Sequence, residues 1–283
     1  MNHIISLYLI FIFTILSTTN TSAQSETLKA NHIKNRVYAY WGWNRGYFTN
    51  SDIHFSGDGF DFMLKDVIAK DRQSEFSFRT YFHPAKLTIP QTNYGIGFYF
   101  KNNYAITLGV DHMKYVVQRP QQVHIYGHIS GEGLPYQGNY DGEVVTIQDD
   151  LLKLEHTDGL NYLSIGVLRS DNLFNKIKIL ENKLELNLME GIGAGVMIPK
   201  TDVTLLSQPR NDQYNISGFG LSANVGLQIV VFNHFFIRGE LKTGFINLTS
   251  FKLSTDDAEQ GKQHFFFIQP SGQFGWAFSL NKQ

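Results

Sequence analysis

The chain contains no cysteine. That removes disulfide frameworks, thiolate zinc sites and cysteine nucleophiles together. Charge is sparse as well: Asp, Glu, Lys and Arg make up 17% of the 283 residues, and the formal net charge is -1. Without a basic excess there is no electrostatic footprint for nucleic acid, and without a long charged tract there is no solvated tail. Past the N-terminal stretch, no apolar run is long enough for a membrane-spanning helix. The mean hydropathy lies slightly below zero, which is too polar for a bundle of such helices.

What the chain does have is aromatic residues (14%) and 25 glycines. A transmembrane β-barrel reconciles these features, because half of each strand faces lipid and half faces a polar interior. The N-terminus carries an apolar run from Ile4 to Leu16, then a polar Ser/Thr stretch ending in Thr21, Ser22 and Ala23. This reads as a secretory signal cut after Ala23, although Asn2 and His3 stand where a positive charge is usual. The expected organisation is a signal peptide over 1–23 and one barrel domain over 24–283.

After a polar lead the same pattern recurs: about ten residues of alternating character, then turn residues. Over 37–43, Val37, Ala39, Trp41 and Trp43 alternate with Tyr38, Tyr40 and Gly42. Over 93–100, Tyr94, Ile96, Phe98 and Phe100 alternate with Asn93, Gly95, Gly97 and Tyr99, before a tight turn at Asn102 and Asn103. The next strand places Ile106, Leu108 and Val110 outward and Asp111 inward. A fourth, over 163–167, is the least distinct. A fifth begins at Leu184 with Glu185 and Asn187 inward, and Glu190-Gly191 breaks its parity, which predicts a bulge or the end of the apolar belt. The sixth, over 218–229, alternates strictly, with Asn224 and Gln228 inward. The seventh points Arg238, Glu240 and Lys242 inward. The eighth, over 268–278, sets Ile268, Phe274, Trp276 and Phe278 against Gln269, Ser271, Gln273, Gly275 and Ala277; Pro270 within it predicts a local irregularity.

The fold class expected is therefore all-β: a single up-and-down antiparallel transmembrane barrel of about eight strands, the last closing on the first. Short turns near Asn102 and Phe232 mark the periplasmic end. Connections over 48–90 and 117–156, roughly forty residues each, are long extracellular loops. The basic-apolar connection over 170–183 falls on the periplasmic side. Within the first long loop, Gly57-Asp58-Gly59 predicts a hairpin.

In this architecture the chain resembles the small, eight-stranded outer-membrane β-barrels, the group that includes the outer-membrane protein A barrel domain. Its Asn/Lys/Ile-rich composition resembles that of Bacteroidota proteins. The resemblance implies location in the cell outer membrane, with membrane lipid and the barrel-assembly machinery as partners. It implies no cofactor and no nucleic acid.

Candidate chemistry falls into four groups. Asp111, Glu185, Asn187, Asn224, Arg238, Glu240, Lys242 and Gln273 would form a polar network in the barrel interior. At this barrel size such a network reads as a plug rather than a conducting path. His128, Ser130 and Glu132 resemble the His-x-Ser element of outer-membrane lipid A deacylases. That resemblance implies a serine nucleophile, a histidine base and an orienting acid. Here, however, the element stands in a Gly/Pro-rich outer segment and is followed by Gly131. Scattered histidines (His54, His83, His112, His124, His128, His156, His264) and carboxylates in the outer half read as solvated loop decoration, with no metal motif. Tyr38, Tyr40, Trp41, Trp43, Tyr47, Phe48, Tyr94, Phe98, Phe100, Tyr104, Phe235, Phe236, Trp276 and Phe278 read as interfacial girdles. The function expected is non-enzymatic: a structural, adhesive or ligand-contact role carried by the long outer loops. The alternatives are a lipid hydrolase and a narrow solute channel.

Overall fold

The computed structural model describes residues 35–83, 89–173, 184–256 and 258–280. The expected signal segment, its cleavage after Ala23 and most of the 170–183 connection lie outside the described residues. Sixteen strands follow one another: β1 (Arg36–Asn44), β2 (Tyr47–Phe48), β3 (Ser51–Gly57), β4 (Phe60–Val67), β5 (Ala69–Lys70), β6 (Thr92–Lys101), β7 (Tyr104–Val117) and β8 (Gln121–Ile129). Then come β9 (Gly138–Ile147), β10 (Leu152–Asn172), β11 (Leu184–Met197), β12 (Lys200–Leu205), β13 (Asn211–Tyr214), β14 (Gly218–Val231), β15 (Phe235–Lys252) and β16 (Gln260–Ser279). One helical turn, α1 (Phe78–Tyr81), stands between β5 and β6.

Eight strands make the wall, in the order β1-β6-β7-β10-β11-β14-β15-β16, and β16 pairs back onto β1. Each neighbour is antiparallel, so the wall is an up-and-down meander without free edges. Cross-strand partners can be followed from Phe274 through Trp41, Tyr94, Val110, Leu163, Val196, Phe219 and Asn247. The path returns to β16 at His264, ten residues from its start. With eight strands, a stagger of that size tilts the strands by about 35–45° and leaves an interior that side chains just fill.

The outer face of the wall is an apolar belt. On β16 it carries Phe266, Ile268, Phe274, Trp276 and Phe278; above Phe266 the same face turns polar, with His264 and Lys262. From Phe278 to Phe266 the tilted strand rises about 30 Å, the thickness of a bilayer's hydrocarbon core. This is the fold of an outer-membrane β-barrel, and it is the architecture the alternation predicts.

Much of the long loops is built of strands. At the upper part of the belt β16 pairs with β2, and beyond the belt it pairs with β3, from which the sheet continues through β4 and β8 to β9. β10 pairs with β12 and β12 with β13. The predicted hairpin is present as β3 and β4, with Gly59 at φ 77°. These strands enclose a continuous apolar core that includes Ile53, Phe55, Leu64, Ile125, Leu154 and Phe251, all fully buried. The barrel thus carries a packed head on its outer end.

Other local expectations are corrected. The fourth strand is not a short segment over 163–167 but a 21-residue strand running from the membrane into the head. No register shift occurs at Glu190-Gly191. Glu190 keeps the outward parity, opposite Arg169, whose guanidinium lies 2.6 Å from Asp171. The departure is thus a charged residue on the outer face in continuous register, not a bulge. Pro270 causes no shift of register opposite Leu241, although its nitrogen has no proton to give to the ladder, and its carbonyl accepts from the Arg45 amide. Tyr38, Tyr40 and Phe236 are not girdle residues, since strand parity sends their rings into the barrel, where Tyr38 and Phe236 are buried.

Candidate functional site

Alternation with period two sends every second side chain of the wall into the interior. There the sequence-derived network assembles in part. Lys242 Nζ donates to Asp111 Oδ2 at 2.5 Å and lies 3.9 Å from Glu240 Oε1. Glu240 in turn accepts from Asn224 Nδ2 at 3.0 Å. Arg238 donates from Nε to Gln273 Oε1 at 2.6 Å, and its guanidinium lies over the Tyr40 ring at 4.4 Å. Two cations and two carboxylates therefore neutralise one another where neither could stand alone. Glu185 and Asn187 are not part of this chain. They sit nearer the periplasmic end, around a small void with Arg36, Tyr99 and Gln228.

Between Tyr40, Ser164, Asn224 and Arg238 is a small polar cavity, large enough for water. Beside the Lys242–Asp111 pair lies a layer of buried amides. Gln91, Asn93 and Gln269 have no protein partner for either side-chain amide atom. Asn93 is the cross-strand neighbour of Asp111, and Gln269 that of Lys242. Such atoms require water, so the plug is a wet one.

Above this layer the interior becomes apolar. On β15 the inward sequence reads Arg238, Glu240, Lys242, Gly244, Ile246, Leu248, and on β16 Phe267 and Phe265 lie above Gln269. One polar thread runs through this core. Gln263 Oε1 accepts from Tyr115 OH at 3.2 Å and from Ser51 Oγ at 3.3 Å, leaving its Nε2 to face His156 Nε2 at 3.4 Å. An amide nitrogen only donates, so His156 carries its proton on Nδ1 and donates it to Thr201 Oγ1 at 3.1 Å. Burial pushes the imidazole down to about 3, so it is neutral. His156 is thus a core residue, not loop decoration. No alternating pattern marked it, because the loop reading gave its segment no interior.

The His128, Ser130 and Glu132 set does not assemble. His128 lies at the end of β8, opposite Asp61, in an ordered sheet rather than a flexible loop. Ser130 Oγ points to the Gly59 carbonyl at 3.4 Å, and among the described residues no hydrogen bond joins the three. The surface histidines are satisfied singly: His54 with Asp61 at 2.7 Å, His124 with the Gly142 carbonyl at 2.8 Å. No group of three or more His, Asp or Glu suited to a metal ion occurs among the described residues.

Sequence reasoning missed two features. One is an ion-pair chain on the head, in which Lys200 bridges Asp158 and Asp212, and Arg210 holds Asp202 with two bonds of 2.7 Å. The other is an aromatic cluster on the outside of the wall, where the segment leading through α1 lies over Trp43.

No family model matches the chain, and no curated protein matches it. Solved structures do resemble it. The outer-membrane protein OprG from Pseudomonas aeruginosa is 12% identical, covering 87% of this chain and 97% of its own, with a TM-score of 0.38. The outer-membrane protein AlkL, determined in lipid bilayers, is 11% identical, covering 93% and 99%, with a TM-score of 0.37. The outer-membrane protease OmpT from Escherichia coli is 10% identical, covering 90% and 100%, with a TM-score of 0.31. The assignment of fold rests on the strand pairing and the belt, not on these likenesses.

Proposed function

We propose that this is an exported outer-membrane protein of a Bacteroidota-type bacterium, cut after Ala23, whose barrel is a scaffold for an adhesive or ligand-contacting head. The observation that carries the reading is the change of the interior from polar to apolar above Lys242. A folded head with its own core holds its outer surface rigid, as binding surfaces on scaffolds require. The same change argues against a solute channel, because side chains close the axis twice. Tyr38, Tyr99 and Phe236 do so at the periplasmic end, and the apolar core does so above. Ser130 Oγ is directed to the Gly59 carbonyl and no hydrogen bond joins it to His128 or Glu132 among the described residues, which argues against a lipid hydrolase. Partners under this reading are outer-membrane lipid, the barrel-assembly machinery during insertion, and an extracellular ligand.

Planar-bilayer recording of the full-length protein tests the scaffold reading: no stepwise conductance is expected, and steady openings that respond to Lys242→Met would overturn it. Settling of cells that express the protein tests the adhesive role. Faster clumping than in cells without it is expected, and identical settling would remove adhesion between cells.

A further inference from the structure

The wall has a low place. β1 ends at Asn44 and β6 begins at Thr92, while β7 and β16 continue into the head. Against the outside of this low wall lies the segment from Gln73 to Phe82. Trp43 faces outward, as parity with Val37, Ala39 and Trp41 requires, and its Nε1 donates to the Tyr81 carbonyl at 3.3 Å. The Phe82 ring packs edge-on against Trp43 at 4.8 Å, and Trp43 in turn touches Phe274 of the belt at 5.8 Å. Height follows from the register. Trp43 is opposite Gly272, which lies six residues toward the periplasmic end from Phe266, the top of the belt on β16. The rings stacked on Trp43 are therefore within the height of the belt.

The segment is amphipathic. Tyr81 is buried, and its OH donates to the Ser74 carbonyl at 2.8 Å and accepts from Gln73 Nε2 at 2.7 Å; the Ser77 hydroxyl donates to Thr80 Oγ1 at 2.9 Å, while Glu75 and Arg79 are exposed. Two of its rings stand on the surface. Phe78 is 73% exposed and Phe76 65% exposed, and these two pack edge to face with each other at 5.3 Å. Elsewhere at the top of the belt the outward side chains become polar, as Asn247, Thr249 and Lys262 do.

We infer that Phe76, Phe78 and Phe82 form a foot sunk into the outer leaflet, and that its occupant is the acyl-chain region of the lipid there. The inference rests on the barrel spanning the membrane as described, since the foot is the sideways continuation of that belt. Aromatic rings at this depth gain from leaving water while their polar neighbours stay bonded. The segment is also tied to the wall, because Lys114 on β7 donates to the Ser74 hydroxyl at 3.5 Å.

The absence of cysteine allows a direct test on the full chain. Phe78→Cys and, separately, Phe76→Cys are spin-labelled and reconstituted in liposomes, with Phe278→Cys in the belt and Lys262→Cys on the head as references. Collision with oxygen is compared with collision with a water-soluble nickel chelate. Labels at 76 and 78 are expected to favour oxygen, as at 278, and to differ from 262. If both favour nickel while 278 favours oxygen, the foot is aqueous and the inference fails with the barrel intact. Nickel preference at 278 as well would mean that the spanning reading itself is wrong.

Discussion

Lys242 and Asp111 are worth more as a pair than either is alone. Removing one partner leaves the other charged and buried, so Lys242→Met is expected to lower stability by about 3–5 kcal/mol. It would be seen as a drop in the temperature at which the closed barrel shifts on a gel. The double variant Lys242→Met with Asp111→Leu is expected to recover most of the loss. Gln269→Leu, in contrast, removes amide atoms that have no protein partner, so it is expected to leave the shift temperature unchanged or raised. His156 supplies a pH signature. Its folded value, about 3, lies below the unfolded value near 6.5, so its contribution is complete above that value and fades as pH falls toward 3. By pH 4 the loss from this residue is on the order of 3 kcal/mol. Near-UV dichroism melts at pH 7 and pH 4 should show it, with a smaller difference in His156→Gln. Inward charges such as Arg238 were legible from alternation alone. His156 was not, because what buries it is tertiary and comes from strands far away in sequence.

At the scale of elements, alternation marked the membrane-crossing parts of the strands and failed in the head. In the barrel one face meets lipid and the other meets polar side chains, so the contrast is sharp and period two is visible, as in β14. In the head the apolar side faces inward and the polar side faces water. β7 and β10 thus reverse which face is apolar as they leave the bilayer, and a reader expecting one polarity per strand sees the pattern dissolve into a loop. β10 shows it: Leu163, Ile165 and Val167 face lipid, while Leu154, Leu160 and Tyr162 are buried inside. Glycine explains another part of the wall. A side chain at Gly97 would stand 2.2 Å from the Tyr38 ring, so the inward tyrosine occupies the room the glycine leaves. Gly97→Val is expected to displace Tyr38 and reduce the yield of the heat-modifiable form, whereas Ile96→Val, on the lipid face, should leave it unchanged.

For the whole molecule, the stagger of ten residues around eight strands sets a narrow interior, and the sequence fills it in three tiers. Aromatic rings lie at the periplasmic end, ions and wet amides in the middle, and a dry core in the head. The number of wall strands and the apolar belt could be read from the chain because each depends on local repetition. The head could not, because its pairing joins β16 to β3 across more than two hundred positions. Along β10, β15 and β16 the backbone passes from bilayer to head without interruption. A pull on a bound ligand would therefore run lengthwise through these strands, straining many ladder hydrogen bonds together in shear rather than opening them one at a time. On the proposed adhesive reading, the resistance of the head to tension is set by the barrel below it.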